Sequence, residues 1–233
     1  MTYIDPKWIL VDFLRHRTTD PRARAEASNS NSFTATAGQT DFSLTATTGT
    51  KVACITDVQV DSVSKDKWVD YRIDFELQKI IFFTGLTIGQ EVDVTFKEGS
   101  TNWIYDDKPQ ERLNNSAFPR INIKVLSGPG NRLGQYNAPI EGVLRIQVDV
   151  WTKPSSTSQI FTIDSHKYAG EKLANYLAYQ VKNAFANNES DLFPALYGFD
   201  GLGEPKDLPF NDELQCHHKV IEFDIRGINL GNV

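Results

Sequence analysis

The chain has 233 residues, enough for one large domain or two small ones. Its composition, 40% hydrophobic and 23% charged, is that of an ordinary soluble globular protein. A net charge of −6 argues against a general nucleic-acid binder, which carries a basic surface, but not against a negative pore through which DNA slides. No stretch approaches the roughly 18 consecutive apolar residues of a membrane helix. The start, Met1-Thr2-Tyr3-Ile4-Asp5-Pro6, has no basic region leading into an apolar one, so no secretory signal is expected. In that setting the two cysteines, Cys54 and Cys216, far apart and each in a strand-like run, read as free buried thiols.

In chain order, Pro6 to about His16 predicts a helix, with Asp5 as N-cap and Pro6 at the first helical position. It is apolar nearly all round (Trp8, Ile9, Leu10, Val11, Phe13, Leu14), which predicts burial, in part against a neighbouring subunit through Trp8 and Phe13. Thr18–Ser32 has no apolar period and reads as a linker. From Phe33 to Lys97 come short alternating runs: Phe33–Ala37, Phe42–Ala46, Val52–Ile55, Val58–Val60, Tyr71–Phe75, Ile80–Phe83 and Val92–Phe96. Close spacing without a helix predicts a small antiparallel β-sandwich. At about 65 residues it is near the lower limit for folding alone. Residues 98–117 read as a second linker.

Two cleanly alternating strands follow, Pro119–Leu126 and Leu144–Trp151, joined by the long segment Ser127–Glu141 with its Gly128-Pro129-Gly130 turn. They predict a hairpin whose unusually long loop is functional or flexible. Ser165 to about Ala186 predicts an amphipathic helix, with Ala169, Leu173, Leu177, Val181 and Phe185 at every fourth position. Ser190–Asn211 reads as a loop and Gln215–Arg226 as a last strand. The predicted fold class is α+β: residues 1–17 and 118–233 form a discontinuous domain with a mixed or antiparallel sheet packed with helices, interrupted by a β-sandwich at 33–97, with linkers at 18–32 and 98–117.

The sequence offers little chemistry. Cys216-His217-His218 suggests a metal, yet adjacent strand residues face opposite ways, so His217 cannot share a metal with both neighbours. One buried thiol with solvated imidazoles is the simpler reading. Asp106-Asp107 and the Asp200, Glu204, Asp207 group lie in predicted loops, and the latter lacks the spacing of an EF-hand calcium site. No nucleophile elbow, phosphate-binding loop or His-Glu-x-x-His motif occurs. The expectation is a non-enzyme with no catalytic residues, metal or cofactor. Trp68, Tyr71, Trp103 and Tyr105 read as packing residues rather than a sugar-binding platform.

The order of features over residues 1–17 and 118–233 resembles the tail terminator proteins of long-tailed bacteriophages. A leading helix precedes the strand Phe118-Pro119-Arg120-Ile121-Asn122-Ile123 and a long loop. The strand Val143-Leu144-Arg145-Ile146-Gln147-Val148-Asp149-Val150-Trp151, an amphipathic helix and a final strand complete the order. The inserted segment resembles small β modules of phage tail and fibre proteins. It opens Phe33-Thr34-Ala35-Thr36-Ala37-Gly38-Gln39-Thr40-Asp41-Phe42-Ser43-Leu44 and continues through Val58-Gln59-Val60, Asp70-Tyr71, Lys79-Ile80-Ile81-Phe82 and Gly89-Gln90-Glu91-Val92-Asp93-Val94. It departs from that pattern where Asp61–Lys67, a charged segment, replaces the usual Asn-Gly turn.

The resemblance implies a virion structural protein: a homohexameric ring, assembled in the host cytoplasm, that caps the tail tube and joins it to the head connector at the neck. DNA would pass through the lumen without specific binding, and no membrane is involved. In a ring built by repeated heterologous contacts, Arg132, Leu133, Gln135 and Tyr136 are the residues expected to meet the tail tube or the lumen, a merely flexible loop being the competing reading. The alternative function is a tail- or baseplate-associated module that attaches to host surface glycan through the β domain.

Overall fold

The computed structural model describes residues 6–106, 113–127, 140–154, 156–192 and 196–228. It is a mixed α+β structure of mostly antiparallel sheets, with two α-helices among the described residues. The chain divides into two compact units, residues 23–102 and residues 6–22 with 103–228.

The first unit consists of β1 (Ala27–Thr34), β2 (Gln39–Ser43), β3 (Lys51–Val60), β4 (Val63–Ser64), β5 (Tyr71–Asp74), β6 (Lys79–Leu86) and β7 (Glu91–Gly99). They form two antiparallel sheets, ordered β1-β7-β3-β4 and β2-β6-β5. Strict alternation builds the layer between them: along β7, Val92, Val94 and Phe96 are buried while Glu91, Asp93 and Thr95 are exposed. Ile55, Val58 and Val60 of β3 share one apolar cluster with Phe42, Tyr71, Ile80 and Phe82 of the other sheet. Within it the Phe42 and Phe82 rings meet edge to face at 5.7 Å. Gly99 allows the chain to close on itself, since a Cβ there would overlap the Arg24 carbonyl oxygen.

The second unit starts with α1 (Pro6–Arg17), followed by β8 (Ile104–Tyr105), β9 (Arg120–Ser127), β10 (Ile140–Thr152), β11 (Phe161–Ile163), β12 (His166–Tyr168), α2 (Gly170–Asn187), β13 (Leu196–Asp200), β14 (Lys206–Asn211) and β15 (Cys216–Ile228). The main sheet runs β13-β15-β10-β9-β8, with β14 also paired to β15. The apolar residues of α2, Leu173, Leu177, Val181 and Phe185, are all buried. Phe185 contacts Phe223 of β15 at 4.7 Å and Phe13 of α1 at 5.2 Å, so one ring joins strand and both helices. The Arg15 guanidinium donates from Nε (3.1 Å) and Nη2 (2.7 Å) to the Ile104 carbonyl, tying the end of α1 to β8.

Several sequence expectations shift. Residues 27–32, read as linker, belong to β1, an edge strand of Ser and Asn with no apolar alternation; pairing with β7 makes it a strand. Val52–Ile55 and Val58–Val60 are one strand, β3, whose pairing with β7 shifts register twice. Ile104–Tyr105, also read as linker, pairs in parallel with β9. The helix expected from Ser165 begins at Gly170, because Asp164 (φ 48°) and Ser165 (φ 66°) turn the β11–β12 hairpin. The predicted 190–211 loop contains β13 and β14, short strands held by pairing with β15.

Candidate assembly surface

The register of β9, β10 and β15 sets Ile121, Ile123, Ile146, Val148, Val150, Ile221 and Phe223 on one face of the sheet. Arg120, Asn122, Lys124, Gln147, Asp149, Trp151, His218 and Glu222 occupy the other. Asp149 is fully buried at the centre of this polar face. His218 Nε2 donates to its Oδ1 at 2.6 Å, Gln147 Nε2 does so at 2.6 Å, and the Lys124 ammonium pairs with Oδ2. Burial alone raises the Asp149 pKa, but the bonds from His218, Lys124 and Gln147 outweigh it and hold the carboxyl below its ordinary range. One carboxylate thereby clips three adjacent strands together.

The clip is reinforced on both sides. The His218 ring stacks on Trp151 at 3.6 Å and 12°, so this imidazole is packed rather than solvated as the sequence reading had it. Below the stack, Trp151, Phe118 and Cys216 form a small apolar cluster, and burial pushes the Cys216 thiol up to about 11. A thiol so disfavoured as thiolate is a poor nucleophile or metal ligand. Toward the β9 edge, the Arg120 guanidinium lies 3.7 Å over the Tyr105 ring. Toward the far end, Glu222 accepts from Arg145 (3.2 Å) and Lys206 (3.3 Å).

Beyond Lys124, β9 continues to Ser127, which pairs with Arg145 across a register shift. Val125 is 36% exposed and Leu126, at the register shift between β9 and β10, 45%. Two adjacent large apolar side chains thus meet solvent at the root of the segment that joins β9 to β10. Arg132, Leu133, Gln135 and Tyr136 lie in that segment, outside the described residues. Trp8 is half-buried on α1, whereas Phe13, only 6% exposed, is occupied by Phe185 of its own chain. Val125 and Leu126 were within the alternating strand, but only solvent exposure singles them out.

Of the acidic residues singled out for chemistry, Asp207 pairs with Lys219, Glu204 with Lys182 and Asp106 with Lys7, while Asp107 lies outside the described residues. A shallow cleft of about 260 Å³ between the start of α2 and β14–β15 is lined by Glu171, Asp207, Phe210, His217 and Lys219. Its buried cation, Lys219, is already neutralised by Asp207. No group of three metal-ligating side chains occurs among the described residues. Of the aromatic residues, Tyr71 is buried in the sandwich core and Trp68 packs against it, while Trp103 and Tyr105 belong to the second unit. No protein-family model, curated protein or solved structure matches the chain.

Proposed function

We propose that the chain is a structural assembly protein of a long-tailed phage virion, a tail terminator whose second unit repeats around a closed ring that caps the tail tube and joins it to the head connector. The observation that carries this reading is the exposed apolar root of the β9–β10 hairpin, Val125 and Leu126, set at the end of a sheet stiffened by the Asp149 clip. Exposed apolar side chains on a hydrogen-bonded sheet suit a contact with a neighbouring subunit, because the strand that carries them is already ordered. Contacts of α2 with β10 and β15, and of Phe13 on α1 with Phe185, support this reading. A heterologous contact of this kind, repeated with rotation, closes a ring. The net charge of −6 suits a lumen that passes DNA without holding it.

The test replaces these apolar side chains. Val125→Asp with Leu126→Asp is expected to leave circular dichroism unchanged, since both side chains already face solvent, and to lower the solution mass to that of the monomer. A variant that assembles as the wild type does would remove this surface from the interface.

A further inference from the structure

We infer that Asn29 and Asn31 are an edge guard: they hold β1 in a self-blocked state that prevents antiparallel pairing with β1 of a second copy. β1 is the outer strand of its sheet, with Ser28, Ser30, Ser32 and Thr34 exposed. The Ala35 N–H donates to Gln90 O on the β7 side at 2.8 Å, so the odd-numbered residues face β7. Ser28, Ser30 and Ser32 therefore turn their N–H and C=O groups outward. Proteins usually protect such an edge with a charge, a proline or a bulge. β1 has none of these: Ala27–Thr34 is uncharged, proline-free and in unbroken register with β7.

Asparagine side chains supply the protection instead. The Ser30 N–H donates to Asn29 Oδ1 (2.7 Å), and the Ser30 carbonyl accepts from Asn31 Nδ2 (2.9 Å). Both amides are themselves anchored. Asn29 Nδ2 donates to Glu98 Oε2 (3.0 Å), whose carboxylate also accepts the Thr47 N–H (2.8 Å) and hydroxyl. Asn31 pairs with the Thr45 backbone as a strand would, accepting its N–H at 2.6 Å and donating to its carbonyl at 3.2 Å. The centre of the edge is thus satisfied without a partner strand. The partner it excludes is a second β1, because antiparallel pairing centred on Ser30 sets Ser28 against Ser32 and Asn29 against Asn31, an uncharged, self-complementary contact of two-fold symmetry.

The test uses the full chain carrying Asn29→Ser with Asn31→Thr, and Asn31→Thr alone, a change that favours strand and keeps the fold. Sedimentation velocity and amide exchange at Ser28, Ser30 and Ser32 are followed over a concentration series, with the wild type as baseline. In the dilute double variant the Ser30 amide, deprived of Asn29 Oδ1, is expected to exchange about fivefold faster, the loss of roughly one net hydrogen bond, whereas Asn31→Thr alone leaves that bond in place. At high concentration the variants gain sedimenting mass over the wild type, with protection at all three serine amides. Adding Ser30→Pro removes an outward N–H that β7 does not use and is expected to return the sedimenting mass, and exchange at Ser28 and Ser32, to the wild-type baseline. Variants with wild-type mass and exchange at every concentration would overturn the inference, as would extra association that survives Ser30→Pro.

Discussion

Replacing Asp149 with Asn tests whether one carboxylate clips the three central strands of the second unit. Asparagine keeps the volume but removes the charge that faces the Lys124 ammonium and the His218 imidazole. Removing one partner of a buried ion pair costs about 3–5 kcal/mol, because the remaining charge stays desolvated. Lys124 retains 17% side-chain exposure and His218 10%, which places the expected loss at the lower end, about 3 kcal/mol. In a chain of this size that corresponds to a fall of roughly 6–12 °C in the melting of the second unit. Thermal and urea unfolding report it through Trp151, stacked on the affected His218. Adding Lys124→Met removes the stranded cation and is expected to recover part of the loss, a coupling that a double-mutant cycle measures. The Asp149 carboxyl titrates below its ordinary value when folded, so its stabilisation is full above the unfolded pKa and is lost as pH falls through the folded one. Asp149→Asn should flatten that acid limb. A loss below about 1 kcal/mol, with the acid limb unchanged, would refute the clip, since that is the scale of a surface pair.

Phe185→Ala is expected to cost about 3–5 kcal/mol by opening a cavity where Phe13, Phe223 and α2 meet, read from the urea midpoint of the second unit. Glu98 is held down to about 2 by bonds from Asn29 and Thr47, so the first unit should lose stability as pH drops below about 4.5 towards 2. Glu98→Gln should remove most of that dependence, as followed by acid titration of its unfolding midpoint. Gly99→Ala should destabilise the first unit by more than about 2 kcal/mol, because the new methyl meets backbone that no side-chain rotation can clear.

The parts legible in the sequence are those where burial imposes a period. β9, β10 and β15 alternate because one face is apolar, and α2 carries its stripe because Leu173, Leu177, Val181 and Phe185 all go inside. β1, β13 and β14 leave no such trace: they sit at or near sheet margins and are held by backbone pairing, which is indifferent to polarity. The onset of α2 was displaced because Ala169 fits the helical stripe while lying just outside the helix as its N-cap. The Asp149 clip was hidden for a different reason. Lys124, Asp149 and His218 each look like the solvent side of an alternating strand, and only the three-strand register brings them together. The solvated imidazoles expected of Cys216-His217-His218 failed at His218 on the same point, since Trp151 and Asp149 come from β10. Isolated strand patterns give no cross-strand neighbours.

The central claim, that the chain is a ring-forming assembly subunit, is tested most directly by the mass of the full-length protein in solution, alone and with a tail-tube protein, measured by sedimentation and by electron microscopy of the same sample. A single closed oligomer with ring-shaped particles, formed alone or on the tube, is the result expected. A monomer at every concentration, with the tube protein present, would contradict it.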